Sequence, residues 1–145
     1  MNRLLLLNGP NLNKLGSREK TVYGATTLQQ IETDLQVFVS QFQFTLDSFQ
    51  SNHEGELIDQ LHEADGKYQG IIFNPGAYTH TSIALHDAIK AIQTPVIEVH
   101  ISNVYQRESF RHVSMTAPAS QGQIVGFGKH SYHLAAFALI HDYHQ

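Results

Sequence analysis

RLLLLNGPN, residues 3–11, is the stretch from which the fold follows. Leu4 to Leu7 are apolar without interruption, so the run has neither the alternation of a half-exposed strand nor the 3.6-residue spacing of a surface helix. Closed by Gly9 and Pro10, it suits a short strand with both faces covered, as parallel sheets require. If that is right, helices must follow and cover those faces.

They do. Thr27 is placed to cap a helix whose apolar positions Leu28, Ile31, Leu35, Phe38, Val39 and Phe42 recur at helical spacing. A strand is expected over about residues 44–51, then a helix from Glu54 to near Gly66 carrying Leu57, Ile58 and Leu61 on one side. Next come a strand over 70–74, a helix over about 80–92, a strand over 95–102, a strand over 124–127 and a helix over 130–143. Strands that alternate with helices build βαβ units, and five of them in this length imply an α/β, flavodoxin-like doubly wound parallel sheet with helices on both faces. One domain over residues 1–145 is expected. The connections 10–26 and 103–122 are longer than such turns need, and long loops in compact domains tend to carry function.

Composition narrows the classes. The chain has 145 residues, 41% hydrophobic and 15% charged, enough for a real core. Nine Lys and Arg against thirteen Asp and Glu give a formal charge of -4, which argues against nucleic acid or an anionic membrane as partner. The absence of cysteine excludes disulfides, thiolate metal sites and thiol nucleophiles. Leu4–Leu7 is too short for a signal-peptide core or a membrane span, so a cytoplasmic protein is expected.

In an open α/β sheet, ligands bind beyond the carboxyl ends of the strands. Those ends here read Asn8-Gly9-Pro10-Asn11, Asn74-Pro75-Gly76 and His100-Ile101-Ser102-Asn103, bringing amides, an imidazole and a hydroxyl to one rim. Each asparagine alone could be a turn residue; their convergence marks a site. In IEVHIS, residues 97–102, strand alternation puts Glu98, His100 and Ser102 on one face. A carboxylate beside an imidazole orients it and favours its protonated form, as a general acid needs; the alternative is two exposed polar residues on a half-solvated strand. The stretch 79–82 offers capping hydroxyls and backbone N–H groups that favour anions, with His80 and Asp87 expected on similar faces of one helix. His130 with His133 and His141 with His144 lack the H-E-x-x-H frame of a metal helix. The glycines of NGPN make neither G-x-G-x-x-G nor a P-loop, which leaves a nucleotide- or flavin-binding module as the weaker alternative.

Arg18 and Tyr23 lie in the first long loop. A free phenol titrates near pH 10, and a cation in contact shifts such a group by about one to three units, so one or two arginines could make it a base. Arg18 is the local candidate, with Arg107 or Arg111 as helpers; the alternative pairs Arg18 with Glu19 and leaves Tyr23 as a loop anchor. A tyrosinate base with a histidine acid suits proton abstraction beside a carbonyl followed by departure of hydroxide as water.

Taken together, NGPNLNKLGSRE (8–19), VYG (22–24), QSNHEGELID (50–59), FNPGAYTHTS (73–82) and IEVHISNVYQRESFR (97–111) closely resemble the type II 3-dehydroquinate dehydratases over nearly the full chain. The resemblance implies anti elimination of water from 3-dehydroquinate to 3-dehydroshikimate in the shikimate pathway, without metal, organic cofactor or lysine imine. It implies a homododecamer of trimers. It makes Tyr23 the proton acceptor, Arg18 the group that stabilises its anion, His100 the proton donor, Glu98 its orienting partner and Asn11 the holder of a water near the enolate oxygen. Asn74, His80, Arg111 and the backbone N–H groups of Ile101 and Ser102 become the substrate-binding set, with Asp87 approaching a neighbouring subunit's site.

Overall fold

The computed structural model describes residues 2–17 and 19–141. Its centre is a five-stranded parallel sheet in the order β2-β1-β3-β4-β5, formed by β1 (Arg3–Asn8), β2 (Thr45–Gln50), β3 (Gly70–Asn74), β4 (Val96–His100) and β5 (Gly122–Val125). The leucine run is β1, and every residue of it from Leu4 to Asn8 is buried. The two faces divide its side chains: Leu4 and Leu6 join the core beneath α2 (Leu28–Ser40) and α5 (His130–Ile140). Leu5 and Leu7 join the core beneath α3 (Glu54–Ala64) and α4 (Ile83–Ala91). A two-sided burial of this kind is why the sequence shows no alternation there.

α2 begins as expected. Thr27 accepts a hydrogen bond from the Gln30 N–H while the Gln30 side chain accepts from the Thr27 N–H, a complete capping box. Ile31, Leu35 and Val39 are the residues it buries. The first long loop carries a 3-10 turn over Leu12–Lys14 and a single helical turn, α1 (Lys20–Tyr23).

Three boundaries differ from expectation. The helix expected from residue 80 is split: Gly76–His80 is a 3-10 turn, Ser82 caps α4 through the Leu85 N–H, and α4 runs from Ile83. His80 and Asp87 therefore do not share a helix, and the face argument for them fails. β4 stops at His100, so Ile101 and Ser102 lie in the bend beyond it. β5 starts at Gly122, two residues before its apolar run, because Gln123 pairs in register with Glu98 of β4. α5 ends at Ile140 with His141 as its C-cap, and the rest of the expected extension to Tyr143, with His144, falls outside the described residues.

The chain leaves β1 for β2 on one side and returns to β3 on the other, so the order reverses between β1 and β3. Asn8 and Asn74 face each other across that junction. Tyr132 of α5, fully buried, reaches up between them: its hydroxyl donates to Asn8 Oδ1 at 2.7 Å and accepts from Asn74 Nδ2 at 3.0 Å. Just beyond, Gly9 passes so close to the β3 turn that a Cβ would sit 2.4 Å from the Pro75 carbonyl oxygen. Gly55 in α3, by contrast, has nothing within 4 Å of such a Cβ.

Gly9→Ala is therefore expected to lower unfolding stability by about 1–3 kcal/mol through backbone overpacking. Gly55→Ala should raise it by up to about 1 kcal/mol, since it removes helix-interior glycine entropy without a clash. Urea unfolding of both variants checks the contrast, and equal effects would contradict it.

Candidate active site

A cavity opens at the carboxyl ends of β1, β3 and β4, on the side where the order reverses. Its lining includes Asn11, Tyr23, Asn74, His80, His100, Ile101, Ser102, Arg107 and Arg111. Fragments from residue 11 to residue 111 thus converge on one space.

His100 is the last residue of β4 and is 6% exposed. Its Nε2 donates to Glu98 Oε2 at 2.8 Å. Glu98, two residues earlier on the same strand face, is fully buried and accepts from three further side chains. The Gln123 amide donates at 2.7 Å, the Ser114 hydroxyl at 3.1 Å, and the Thr116 hydroxyl to the other oxygen. Burial alone would raise the Glu98 carboxyl, yet the hydrogen bond and charge of His100, with the bonds from Thr116 and Gln123, outweigh it and hold the group below the ordinary carboxylate value. Glu98 is thus an ionised acceptor, and His100 must present Nε2 as a donor to it. That leaves Nδ1 as the imidazole nitrogen available to a ligand.

The ring of His80 lies nearly parallel to that of His100, centroids 6.5 Å apart at 19°. Its Nδ1 donates to the Val113 carbonyl at 2.8 Å. Partial burial lowers its pKa most, opposed by the Val113 bond and assisted by the nearby His100 and Arg111 charges, which holds His80 below the ordinary histidine value.

Across the cavity, Arg107 Nη1 donates to the Tyr23 phenol oxygen at 2.7 Å, and its guanidinium lies 5.2 Å from the centre of the Tyr23 ring. The same nitrogen reaches Ser102 Oγ at 3.3 Å. Of the two arginines proposed as helpers, Arg107 makes this contact; Arg111 lines the cavity and is tied to Glu108 through Nε at 2.9 Å. Arg18 lies outside the described residues.

Asn11 takes up a left-handed conformation, φ 69°, and its N–H donates to Asn52 Oδ1 at 3.0 Å. Asn52 is held in turn by the Gln50 amide at 3.2 Å, while Tyr78 donates to the Asn52 carbonyl at 2.8 Å. Asn74 Oδ1 accepts from the Gly76 N–H at 3.0 Å, and Nδ2 donates one of its two hydrogens to Tyr132. Asp87 is exposed on α4 and does not line the cavity of its own chain. Among the described residues no three His, Asp or Glu side chains converge as a metal ion would require.

Sequence reasoning passed over Asn52, Ser114, Thr116, Gln123 and Tyr132. Gln123 could have been found from the β4–β5 register had β5 been started two residues earlier; the hydroxyls of the 103–121 connection carry no periodic signal at all.

The sequence profile of the Dehydroquinase class II family matches residues 2–140. A 3-dehydroquinate dehydratase from Bacillus cytotoxicus is 61% identical over 97% of this chain and 96% of its own, and one from Rhizobium etli is 60% identical over 94% of each. Among solved structures, the type II dehydroquinase from Propionibacterium acnes superposes with a TM-score of 0.94 at 36% identity, covering 98% of both chains. That from Butyrivibrio crossotus gives 0.93 at 45% identity, covering 94% of this chain and 96% of its own.

The state of Glu98 has a consequence for folding. Because its carboxyl is held below the ordinary value of 4.5, the stability it contributes is fully present above that pH and is lost as pH falls toward and through the folded value. Urea midpoints measured from pH 6 down to pH 3, roughly the carboxylate range, should fall more steeply for the native chain than for Glu98→Gln. Parallel slopes would mean that Glu98 does not hold this proton linkage.

Proposed function

The chain belongs to the class II dehydroquinase family, and on that premise we propose that this cavity removes water from 3-dehydroquinate by anti elimination through an enolate, releasing 3-dehydroshikimate within the shikimate pathway. The observation that carries the proposal is the pairing across one cavity of a cation-bound phenol, Tyr23 with Arg107, and a carboxylate-bound imidazole, His100 with Glu98.

Tyr23 as phenolate takes the proton beside the substrate carbonyl. Arg107 donates to its oxygen, and the family resemblance assigns Arg18 as a second cation for the anion. Electrons from the broken C–H bond move into the enolate, whose oxygen is stabilised through a water held by Asn11. The enolate then expels the hydroxyl on the far carbon as His100 passes it the Nδ1 proton, so that water leaves and a neutral imidazole remains. Glu98, fixed as an ionised acceptor, supports the imidazolium that precedes this transfer. Asn74, His80, Arg111 and the N–H groups of Ile101 and Ser102 grip the substrate, the last two at its carboxylate. The loop over residues 10–24 closes to bring Arg18 and Tyr23 against it and to exclude water.

The working form is a dodecamer of trimers in the cytoplasm. Asp87, exposed and away from its own cavity, reaches a neighbour's site, and the exposed apolar side chains Ile83, Phe110 and Val113 are available for burial between copies. Among the described residues no helix is long and apolar enough to cross a membrane.

Added 3-dehydroquinate should give the ultraviolet absorbance of a conjugated enone; folded protein that produces none would refute the activity. Tyr23→Phe and His100→Ala should each lower turnover by about 10²–10⁴-fold. Arg18→Ala and Arg107→Met should depress turnover far more than they shift unfolding, and near-normal turnover in either would remove that arginine from the mechanism. Light scattering should return the mass of twelve chains, and a monomer with full activity would contradict the trimer contribution of Asp87.

A further inference from the structure

Glu98 receives more donors than orientation of His100 alone requires, and the additional ones come from two separate parts of the chain. Gln123 lies directly opposite it on β5. Thr116 is fully buried in the 103–121 connection, and its hydroxyl, which donates to Glu98, is itself bonded to the Thr79 hydroxyl at 2.7 Å. Ser114 accepts from the Thr116 and Ala117 N–H groups at 3.2 and 2.9 Å, which turns its own hydrogen toward Glu98. The segment is anchored to the substrate side of the site as well, because Met115 N–H donates to the Thr79 carbonyl and His80 to that of Val113.

We propose that Gln123 and Thr116, with Ser114, are positioning residues that set the acidity of His100 by drawing charge from the Glu98 carboxylate, an inference that rests on the reading of His100 as proton donor. A carboxylate left with His100 alone would be more basic and would hold the imidazolium proton more tightly. Neutral donors spread its charge and so leave His100 a stronger acid, better matched to a departing hydroxyl. Among the described residues the other titratable or charged groups around the pair are His80, stacked on His100, and Tyr23, Arg107 and Arg111 along the cavity. Neither substitution replaces any of these groups.

The test uses Gln123→Met, which keeps length and removes the donor, and Thr116→Val, which keeps shape and removes the hydroxyl, with Thr116→Ser as the restoring change. Histidine ring signals are titrated by NMR on labelled protein without substrate, and the His100 signal is identified by its loss in His100→Gln. The His100 midpoint should rise by about half to one pH unit in Gln123→Met and Thr116→Val, and return toward the native value in Thr116→Ser. With substrate, the alkaline limb of kcat should move up by the same amount, and kcat on the plateau below that limb should fall by about threefold at most, because the weaker acid transfers its proton more slowly. KM should hardly change, since neither side chain lines the cavity. Gln123 is half-buried on an edge strand, so its variant carries the test even if Thr116→Val folds poorly. An unchanged or lowered midpoint in folded Gln123→Met overturns the inference. Lack of dehydration by the native chain would instead overturn the proposed activity, and the substrate-free titration separates the two failures.

Discussion

A carboxylate with no solvent exposure, Glu98, constrains the architecture around it more than any other single group. A buried ion is tolerated only when its lone pairs are filled, and a carboxylate offers about four acceptor sites. Here the filling demands β5 in one register, the 114–116 segment folded back over the strand ends, and His100 in one tautomer. His100 is therefore oriented by the same bonds that close one side of the sheet.

A second buried set does similar service at the β1–β3 junction without charge. Tyr132 reaches from α5 through the core to the two asparagines that end those strands, and its burial pushes the phenol proton far from any physiological range. It therefore acts as a hydroxyl that orients Asn74, in contrast to Tyr23, half-buried at the cavity with an arginine on its oxygen. Two tyrosines of identical chemistry thus meet opposite surroundings.

The alternation of strands and helices, the cap at Thr27 and the polar strand ends were all readable, because each is a local pattern governed by period, capping or turn chemistry. The Glu98–His100 pair was readable too, since strand alternation puts residues two apart on one face. His80 was misassigned to a helix because Thr79, Thr81 and Ser82 each look like a cap, and only the observed bond from Leu85 N–H selects Ser82. β5 was begun late because its first residues are Gly122 and Gln123, which carry no apolar signal; their strand character comes from pairing with β4.

By itself, then, the sequence determined the doubly wound α/β class, the rim on which the cavity opens and the polar residues that end its strands, together with a family resemblance that the comparisons bear out. The tertiary structure decided which of the helper arginines meets the Tyr23 oxygen, which donors ionise Glu98 and which tyrosine is sealed in the core. The physical reason is separation along the chain. Arg107 lies 84 residues from Tyr23 and Tyr132 lies 124 from Asn8, and no local periodicity records contacts that exist only after the sheet has closed over both faces.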